Sequence, residues 1–436
     1  MKKIINRVSR VAKTDFVKVT SWSAISTFVR MLSGIISTKI AAWTIGTVGM
    51  AVVGNFLNSI NILSMFATGG IGQGVTKFIA EYYDQPEKQK KVIAHAVRIT
   101  LVSTILTTLV VLIFANQYGL LIFKSSEYNS IIILFGILLV LYSFNMLFVY
   151  IINGFKQYRR FVRVSVISSI AALAVSVLLV LQFGLYGALL NCVLSQTVII
   201  IVTIAFVYKD DWFKSIFRST AIDWRMIRLL SGFTAMTLIS TFMMQFSQLN
   251  VRGYISTHLS PHHAGVWEAM NRISSMYLTI VTTSISTFYL PRLAEIRDNE
   301  VLRNEIIRTM KIVLPPLLLA CICIFLGRDI IIWVLFSKEF HQVRDLFAFQ
   351  MIGDFLKMSS WLVALLFLAK AMTKQFIFAE VFFNVSWIVT SHILVDRFGL
   401  QGSTMSYAFS YLLYFLIVLF IFRRLLFGSR KPGALK

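Results

Sequence analysis

The chain has 436 residues, of which 57% are hydrophobic and 14% are charged, and this composition is too apolar for a soluble protein of this size. The net charge of +23 suggests nucleic acid, but the basic residues fall in short runs between apolar spans and form no continuous stripe. We therefore expect no nucleic-acid partner. The three cysteines lie inside apolar spans and indicate neither a disulfide framework nor a metal site.

The N-terminus is basic, with apolar residues at near-helical spacing over residues 1–18. No small-residue cleavage site ends the span that follows, so this segment is not a removed signal peptide. We predict a cytoplasmic amphipathic helix on anionic lipid.

The first apolar span, 19–44, has roughly 26 residues that rise about 39 Å as a helix, enough to cross a bilayer with some tilt. Arg30 lies near its middle, where a charge costs at least a few kcal/mol, and it therefore needs a partner, a wet cavity or a function. We interpret Arg30 as facing a water-filled path that accepts anions. Lys39, nearer the helix end, is able to snorkel to the interface.

Hydropathy predicts an all-α integral membrane protein with about twelve spans. The spans are 19–44, 47–76, 92–116, 130–153, 161–183, 185–208, 226–255, 264–292, 307–327, 345–369, 375–395 and 401–422. We divide the chain into an N-terminal lobe (19–208), a cytoplasmic linker (209–225), a C-terminal lobe (226–423) and a cytoplasmic tail (424–436).

The orientation follows from the basic residues in alternate connections. One set of connections, including both termini, holds 31 of the 42 Lys and Arg residues, and the other set holds 5. Both termini are therefore predicted to be cytoplasmic.

The two halves of the chain contain similar short patterns about 215 residues apart. The matched positions are Phe183-Gly184-Leu185 with Phe398-Gly399-Leu400, Glu81 and Asp84 with Glu295 and Asp298, and Gly49 with Gly265. These matches indicate a six-span unit repeated in tandem. Because six is even, the copies share one orientation and form two pseudo-symmetric lobes. A cleft between such lobes suits alternating access.

Several charged residues lie inside the spans. Glu268 and Arg272 are spaced i,i+4, and Asp354 and Lys357 are spaced i,i+3, so neutralisation within one helix is the simplest interpretation. Glu380 has no partner on its own helix and is either bonded to a neighbouring helix or titratable. The candidates for ion coupling are Glu380, Asp354 and Glu268.

Arg30 and Arg252 remain as cations without a matching acid, and this surplus favours a multiply anionic substrate group. Moving Arg252 back by the repeat offset places it seven residues after Arg30, on nearly the same helix face, so both are predicted to line the cleft. The predicted cationic substrate site comprises Arg30, Arg252, Lys39, Arg272, Gln245 and Gln248.

Motifs of catalysis are absent from the sequence: it has no phosphate-binding glycine loop, no metal-spaced His/Cys cluster and no nucleophile elbow. We therefore predict a transporter with no catalytic residues, no metal and no cofactor. A nucleotide-binding domain, which an ATP-driven transporter needs, does not fit between the spans.

Several motifs resemble the Wzx-type flippases of lipid-linked oligosaccharides, in the MATE-like exporter superfamily. They are Gly74-Val75-Thr76-Lys77 through Asp84, Tyr289-Leu290-Pro291-Arg292-Leu293, Arg328-Asp329, Arg344-Asp345-Leu346-Phe347-Ala348 through Gly353-Asp354 with Lys357, and Ala379-Glu380. The resemblance implies a V-shaped pair of six-helix lobes in the inner membrane of a Gram-negative bacterium. The implied substrate is an undecaprenyl-pyrophosphate-linked O-antigen unit, moved from the cytoplasmic to the periplasmic leaflet past a cleft lined by cations.

The resemblance also implies contact with membrane lipids and names two candidate partners, an O-antigen polymerase and a chain-length regulator. Protons and sodium both remain open as the coupling ion. Two other functions are weighed against this one. A multidrug exporter of the same fold would favour an acidic cleft, and a membrane glycosyltransferase or polymerase usually needs a large outer loop, whereas every outer connection here is short.

Overall fold

The computed structural model describes residues 2–155, 158–216, 223–232, 234–370 and 372–427, with side chains from residue 27 onward except 158–159, 215, 284, 286–288 and 291. Every regular element in these ranges is helical, so the predicted all-α class is confirmed. The helices are α1 Lys2–Ala67, α2 Gly72–Glu81, α3 Pro86–Ile113, α4 Ala115–Phe123, α5 Asn129–Gly154, α6 Tyr158–Val207, α7 Asp211–Ser215, α8 Trp224–Ser231, α9 Thr234–His258, α10 Pro261–Glu295, α11 Asn299–Leu326, α12 Arg328–Leu335, a 3₁₀ segment Lys338–Leu346, α13 Phe347–Ala369, α14 Thr373–Phe398, α15 Leu400–Ile421 and α16 Arg423–Phe427.

Nine helical stretches of the described chain are long and apolar enough to cross a membrane. Two of them, in α1 and α6, contain a glycine with positive φ, Gly46 (φ 61°) and Gly184 (φ 55°), so each holds two of the predicted spans. The remaining predicted span corresponds to α10, which is not among the nine stretches. It has 35 residues and contains the charged residues Glu268 and Arg272. All twelve predicted spans therefore have a helical counterpart.

The second span ends earlier than predicted. Instead of continuing to residue 76, the helix stops at Ala67, and Gly69 and Gly70 follow with φ of 67° and 63°. Only glycine adopts such values at little steric cost, so the pair breaks the helix before α2 begins at Gly72. Hydropathy missed this break because glycines interrupt an apolar run without adding charge.

The repeated Phe-Gly-Leu motif forms the same turn in both halves. Gly184 has φ 55° and ψ −128°, and Gly399 has φ 58° and ψ −141°. Three residues after each, a second glycine approaches a carbonyl oxygen eight residues upstream. A Cβ at Gly187 would lie 1.9 Å from the oxygen of Leu179, and one at Gly402 would lie 2.0 Å from that of Leu394. The internal repeat is therefore a repeat of backbone geometry.

The positive φ of Gly399 predicts the effect of adding a methyl group at the turn. Gly399→Ala should destabilise the protein by about 1–3 kcal/mol, because an alanine there is held in a region of φ and ψ that only glycine populates. Gly253→Ala is the matched control, since Gly253 is helical and its Cβ would meet nothing within 4 Å. Thermal unfolding in detergent checks this: equal midpoints for the two variants would contradict the proposed strain.

The backbone contacts group the chain into two compact units. Unit 1 comprises Met1–Thr44 and Asn55–Thr241, and unit 2 comprises Ile45–Gly54 and Phe242–Lys436. A short piece of α1 therefore belongs with unit 2. The lobe boundaries predicted from the sequence stay a prediction, and part of the predicted linker (217–222) and most of the tail (428–436) lie outside the described residues.

Large aromatic rings form the centre of unit 2. Trp267 of α10 lies 6.4 Å from Trp387 of α14 between ring centroids, and Trp387 lies 5.7 Å from Tyr407 of α15. Both tryptophans are buried. This packing holds α10, α14 and α15 together and so positions the charged residues of α10 and α14.

Candidate functional site

Three charged residues form a buried group where α9 meets α10. The Nη2 of Arg252 donates to Oε2 of Glu268 at 2.5 Å, and the Nε of Arg272 donates to Oε1 of the same carboxylate at 3.0 Å. Glu268 and Arg272 lie four residues apart on α10, with the acid first, and the pairing predicted within this helix is confirmed. One carboxylate thus binds two guanidinium groups, and the three side chains together have a net positive charge.

The Arg252–Glu268 pair lies in the interior of unit 2. Only 1% of Arg252 is exposed, and its guanidinium lies 5.4 Å from the ring centroid of Trp267. Gly54 packs directly on the pair, because a Cβ there would lie 2.7 Å from Cδ of Glu268 and 2.9 Å from Cζ of Arg252. Removing one partner of a buried ion pair costs about 3–5 kcal/mol, so this pair is needed for the fold of unit 2.

The prediction that Arg252 lacks an acidic partner is wrong, and its place in the cleft stays a prediction. Its partner, Glu268, lies on the next helix, and the search for partners by spacing along one helix could not find it. The prediction also used the repeat offset, which is valid only if matched positions in the two halves of the chain have the same neighbouring residues. Arg252 is instead a buried structural cation.

Arg272 is the more accessible arginine of the group, with 21% of its side chain exposed. Its Nη2 is buried and has no hydrogen-bond partner in the described part of the chain, and the same holds for Nδ2 of the adjacent Asn271. A buried donor without an acceptor costs about 1–3 kcal/mol. These two donors could therefore accommodate an acceptor that the chain itself does not supply.

The other predicted substrate residues lie elsewhere. Arg30, in unit 1, is exposed and donates from Nη2 to Oγ of Ser165 on α6 at 2.7 Å. Lys39 is also exposed, on the same helix. Gln245 and Gln248 are half-buried on α9 in unit 2. The six residues therefore do not form one cluster within either unit.

A second polar cluster surrounds Asp354, which is fully buried on α13. Its carboxylate accepts hydrogen bonds from four side chains on three helices. The donors are Ser274 (2.6 Å) and Tyr277 of α10, Gln350 of α13 (3.3 Å) and Tyr407 of α15 (2.9 Å). These hydrogen bonds satisfy the buried carboxylate and join α10, α13 and α15 around it.

Tyrosines of α15 connect Asp354 to the second buried carboxylate. Tyr407, Tyr411 and Tyr414 follow one face at i, i+4 and i+7, with ring centroids 4.8 Å and 6.4 Å apart. Tyr414 donates to Oε1 of Glu380 on α14 at 3.1 Å. Of the two alternatives for Glu380, a bond to a neighbouring helix is thus observed.

Lys357 lies over this tyrosine face. Its Nζ is 5.8 Å from the ring centroid of Tyr407 and 5.5 Å from that of Tyr411. It interacts electrostatically with both Asp354 and Glu380. The neutralisation predicted for Asp354 and Lys357 from their spacing thus takes the form of an electrostatic interaction, and the described chain has no direct ion pair between them.

The comparison with protein families decides the class. A family model described as "Polysaccharide biosynthesis protein" matches residues 16–297, more than half of the chain. The chain belongs to this family.

Two named relatives of this family member match almost end to end. The "Lipid III flippase" of Escherichia coli (strain K12) is 28% identical over 398 residues, which cover 91% of this chain and 96% of that protein. The "Lipid III flippase" of Shigella flexneri matches with the same identity and coverage. These findings confirm the predicted resemblance to flippases of lipid-linked saccharides.

Solved structures of the same fold are transporters. An inward-facing multidrug resistance MATE family transporter of the MOP superfamily superposes with a TM-score of 0.77 at 15% identity, covering 93% of this chain and 100% of that one. A MOP superfamily transporter from Pyrococcus furiosus, described as having a binding pocket of reverse polarity, superposes with a TM-score of 0.71 at 15% identity, covering 94% of this chain and 96% of that one. The likeness confirms the predicted MATE-like fold. Transporters are thus found both among its sequence relatives and among its structural neighbours.

Sequence reasoning missed the tyrosines around the two carboxylates. Tyr407, Tyr411 and Tyr414 lie at helical spacing in a predicted span, and such a stripe of hydroxyl-bearing rings is a signal for buried acceptors nearby. Tyr277 gave no comparable signal, because its partner Asp354 is distant in the sequence.

Proposed function

We propose that the protein moves a lipid-linked oligosaccharide with an anionic pyrophosphate between leaflets, by alternating access, from the cytoplasmic to the periplasmic side of the bacterial inner membrane. The observation that carries the proposal is the positive charge kept inside the apolar helices. Arg30 is exposed in unit 1, and the Arg252–Glu268–Arg272 group in unit 2 has two cations for one anion. The flippase relatives support the same substrate class.

The chemistry of guanidinium suits this substrate. A pyrophosphate has several acceptor oxygens and multiple negative charges, and guanidinium binds such groups with paired hydrogen bonds. We infer that each unit offers one accessible arginine to an anionic group, Arg30 in unit 1 and Arg272 in unit 2, whereas Arg252 supports Glu268 from within the fold of unit 2. An undecaprenyl chain and an O-antigen sugar are the specific substrate that we propose.

The charge distribution speaks against the multidrug exporter. A cationic drug needs accessible carboxylates, but Glu268 binds two arginines and Asp354 is fully buried with four donors. Binding of a fluorescent lipid-linked pyrophosphate sugar to the purified protein tests the proposal. We expect inorganic pyrophosphate to displace the fluorescent sugar and a cationic dye not to displace it. Displacement by the dye but not by pyrophosphate would favour the exporter.

We propose that ion coupling uses the cluster of Asp354, Lys357 and Glu380. Glu380 is the half-buried carboxylate of the cluster and accepts a bond from one side chain in the described part of the chain, Tyr414, whereas Asp354 accepts bonds from four. Glu268 is a poorer candidate, because each of its two carboxylate oxygens is already bonded to an arginine. Protons and sodium remain the two candidate ions.

The coupling proposal predicts the behaviour of Glu380→Gln. The amide keeps the shape and the bond from Tyr414 but cannot gain or lose a proton, so transport should slow and lose most of its dependence on an imposed pH gradient. Glu295→Gln, at an exposed carboxylate of α10, is the control. If Glu380→Gln responds to the pH gradient as the parent does, Glu380 has a structural role only.

We also propose that both termini are cytoplasmic and that an O-antigen polymerase and a chain-length regulator are partners. The excess of basic residues in one set of connections supports the orientation. The partners rest on the resemblance of the sequence to flippases alone.

A further inference from the structure

Three aromatic rings stack where α9 ends beside α14. The ring of Tyr254 lies between His258 and His392, with each imidazole centroid 3.8 Å from it and interplanar angles of 21° and 12°. The phenol hydroxyl of Tyr254 donates to Oδ1 of Asp396 at 2.7 Å. Two helices of unit 2 are thus joined through a histidine, a tyrosine and a second histidine.

The hydrogen bonds leave one nitrogen of each imidazole available for a further proton. The Nε2 of His392 lies 2.9 Å from Oδ1 of Asn250, an acceptor, so Nε2 carries a hydrogen and Nδ1 is the basic nitrogen. The Nδ1 of His258 lies 3.1 Å from Oγ1 of Thr257 and 3.3 Å from the carbonyl oxygen of Tyr254, and whichever ring nitrogen carries the hydrogen, the other is basic. His258 is exposed and His392 is half-buried, so both can reach water.

We propose that this stack is a pH-sensitive clasp between α9 and α14. Histidine is the side chain whose charge changes between pH 5 and 8. An imidazolium on the face of Tyr254 gains a cation–π contact, and Asp396 supplies the compensating negative charge. Uptake of a proton therefore tightens the joint between the two helices, and loss of the proton loosens it.

The surrounding charges favour one proton rather than two. His258 and His392 repel each other when both are protonated, while Asp396 attracts a protonated His392. Arg397 follows Asp396 in the last turn of α14. His262 and His263 at the start of α10 are engaged elsewhere, with Oγ1 of Thr47 and Oγ of Ser260.

The stack does not bind a metal ion. The two imidazoles lie on opposite faces of the Tyr254 ring, which separates their basic nitrogens, and no group of three potential ligands in the described chain is arranged to hold a metal. Proton uptake is the chemistry that remains for these rings.

Spin labels across the joint test the clasp in the full-length protein in lipid nanodiscs. Cysteines at Gly253 on α9 and at the exposed Ile393 on α14 carry the labels, with Cys192, Cys321 and Cys323 replaced by alanine. Between pH 8 and pH 5.5, the population with the longer distance should fall about two- to fivefold, the shift that an exposed cation–π contact supports.

Replacing both histidines by phenylalanine keeps the stacking but removes the titration, so the distances should become independent of pH. His341→Phe, at an exposed histidine of the 3₁₀ segment, should keep the response. If the double variant does not fold, the single variants His258→Phe and His392→Phe should each weaken the response, because the proton can then bind only one imidazole. A parent protein without a pH response, a response that survives the loss of both histidines, or single variants that both respond as the parent does would overturn the proposal.

Discussion

Glu268→Gln is expected to destabilise unit 2 by about 3–5 kcal/mol, the largest effect on stability that we predict for a single substitution. The amide keeps the size of the side chain but not its charge, so Arg252 becomes a buried cation without compensation. Thermal unfolding of the purified protein in detergent measures the loss. Glu295→Gln on the same helix removes an exposed carboxylate that is 3.8 Å from Arg292, and such pairs contribute about 0–1 kcal/mol.

A double-mutant cycle identifies the cause. Arg252→Met removes the cation and fills its volume, and replacing a buried ion pair by apolar residues is often nearly neutral. The double variant Glu268→Gln with Arg252→Met should therefore be more stable than the sum of the two single losses predicts. Additive losses would show that the two side chains act separately, against the geometry of the pair.

Arg30→Ala is expected to weaken binding of a lipid-linked pyrophosphate sugar by about tenfold to a hundredfold, the value of a charge-assisted hydrogen bond to an ionised group. The side chain is exposed on an apolar helix and its one described bond is to a neutral serine, so its charge is available to a ligand. Titration of the purified protein with a fluorescent substrate measures the affinity.

A second variant at Arg30 separates the effect of charge from that of hydrogen-bond geometry, and a variant at Lys90 is the control. Arg30→Lys keeps the charge but loses the paired donors, so it should restore the affinity only in part. Lys90→Ala, which removes an exposed cation of α3 already paired with Glu87, should bind as the parent does. Unchanged affinity in Arg30→Ala would exclude this residue from the substrate site.

The spans and the repeat were predictable because their signals are local. Apolar runs reveal a helix that crosses a membrane, and the Phe-Gly-Leu motif recurs because its glycines meet the same backbone requirement at Gly184 and Gly399. The end of the second span at Ala67 was not predictable from hydropathy, since the two glycines that cause it lie within an apolar stretch.

The partners of the buried charges were not predictable from spacing. The Glu268–Arg272 bond lies within one helix and could be found, whereas Arg252 meets Glu268 only because α9 packs on α10. Asp354 likewise takes donors from α10 and α15 rather than from Lys357, three residues away. Sequence periodicity describes each helix face but not which faces meet, and so the site was harder to predict than the fold.

The central claim is that the protein transfers a lipid-linked pyrophosphate sugar between leaflets, and reconstitution tests it most directly. Proteoliposomes receive a fluorescent undecaprenyl-pyrophosphate sugar in one leaflet, and an impermeant quencher reports its arrival in the other. We predict transfer well above that of protein-free liposomes, reduced in Arg30→Ala and unchanged in Lys90→Ala. Transfer at the protein-free rate, with a cationic drug transported by the same vesicles, would contradict the account.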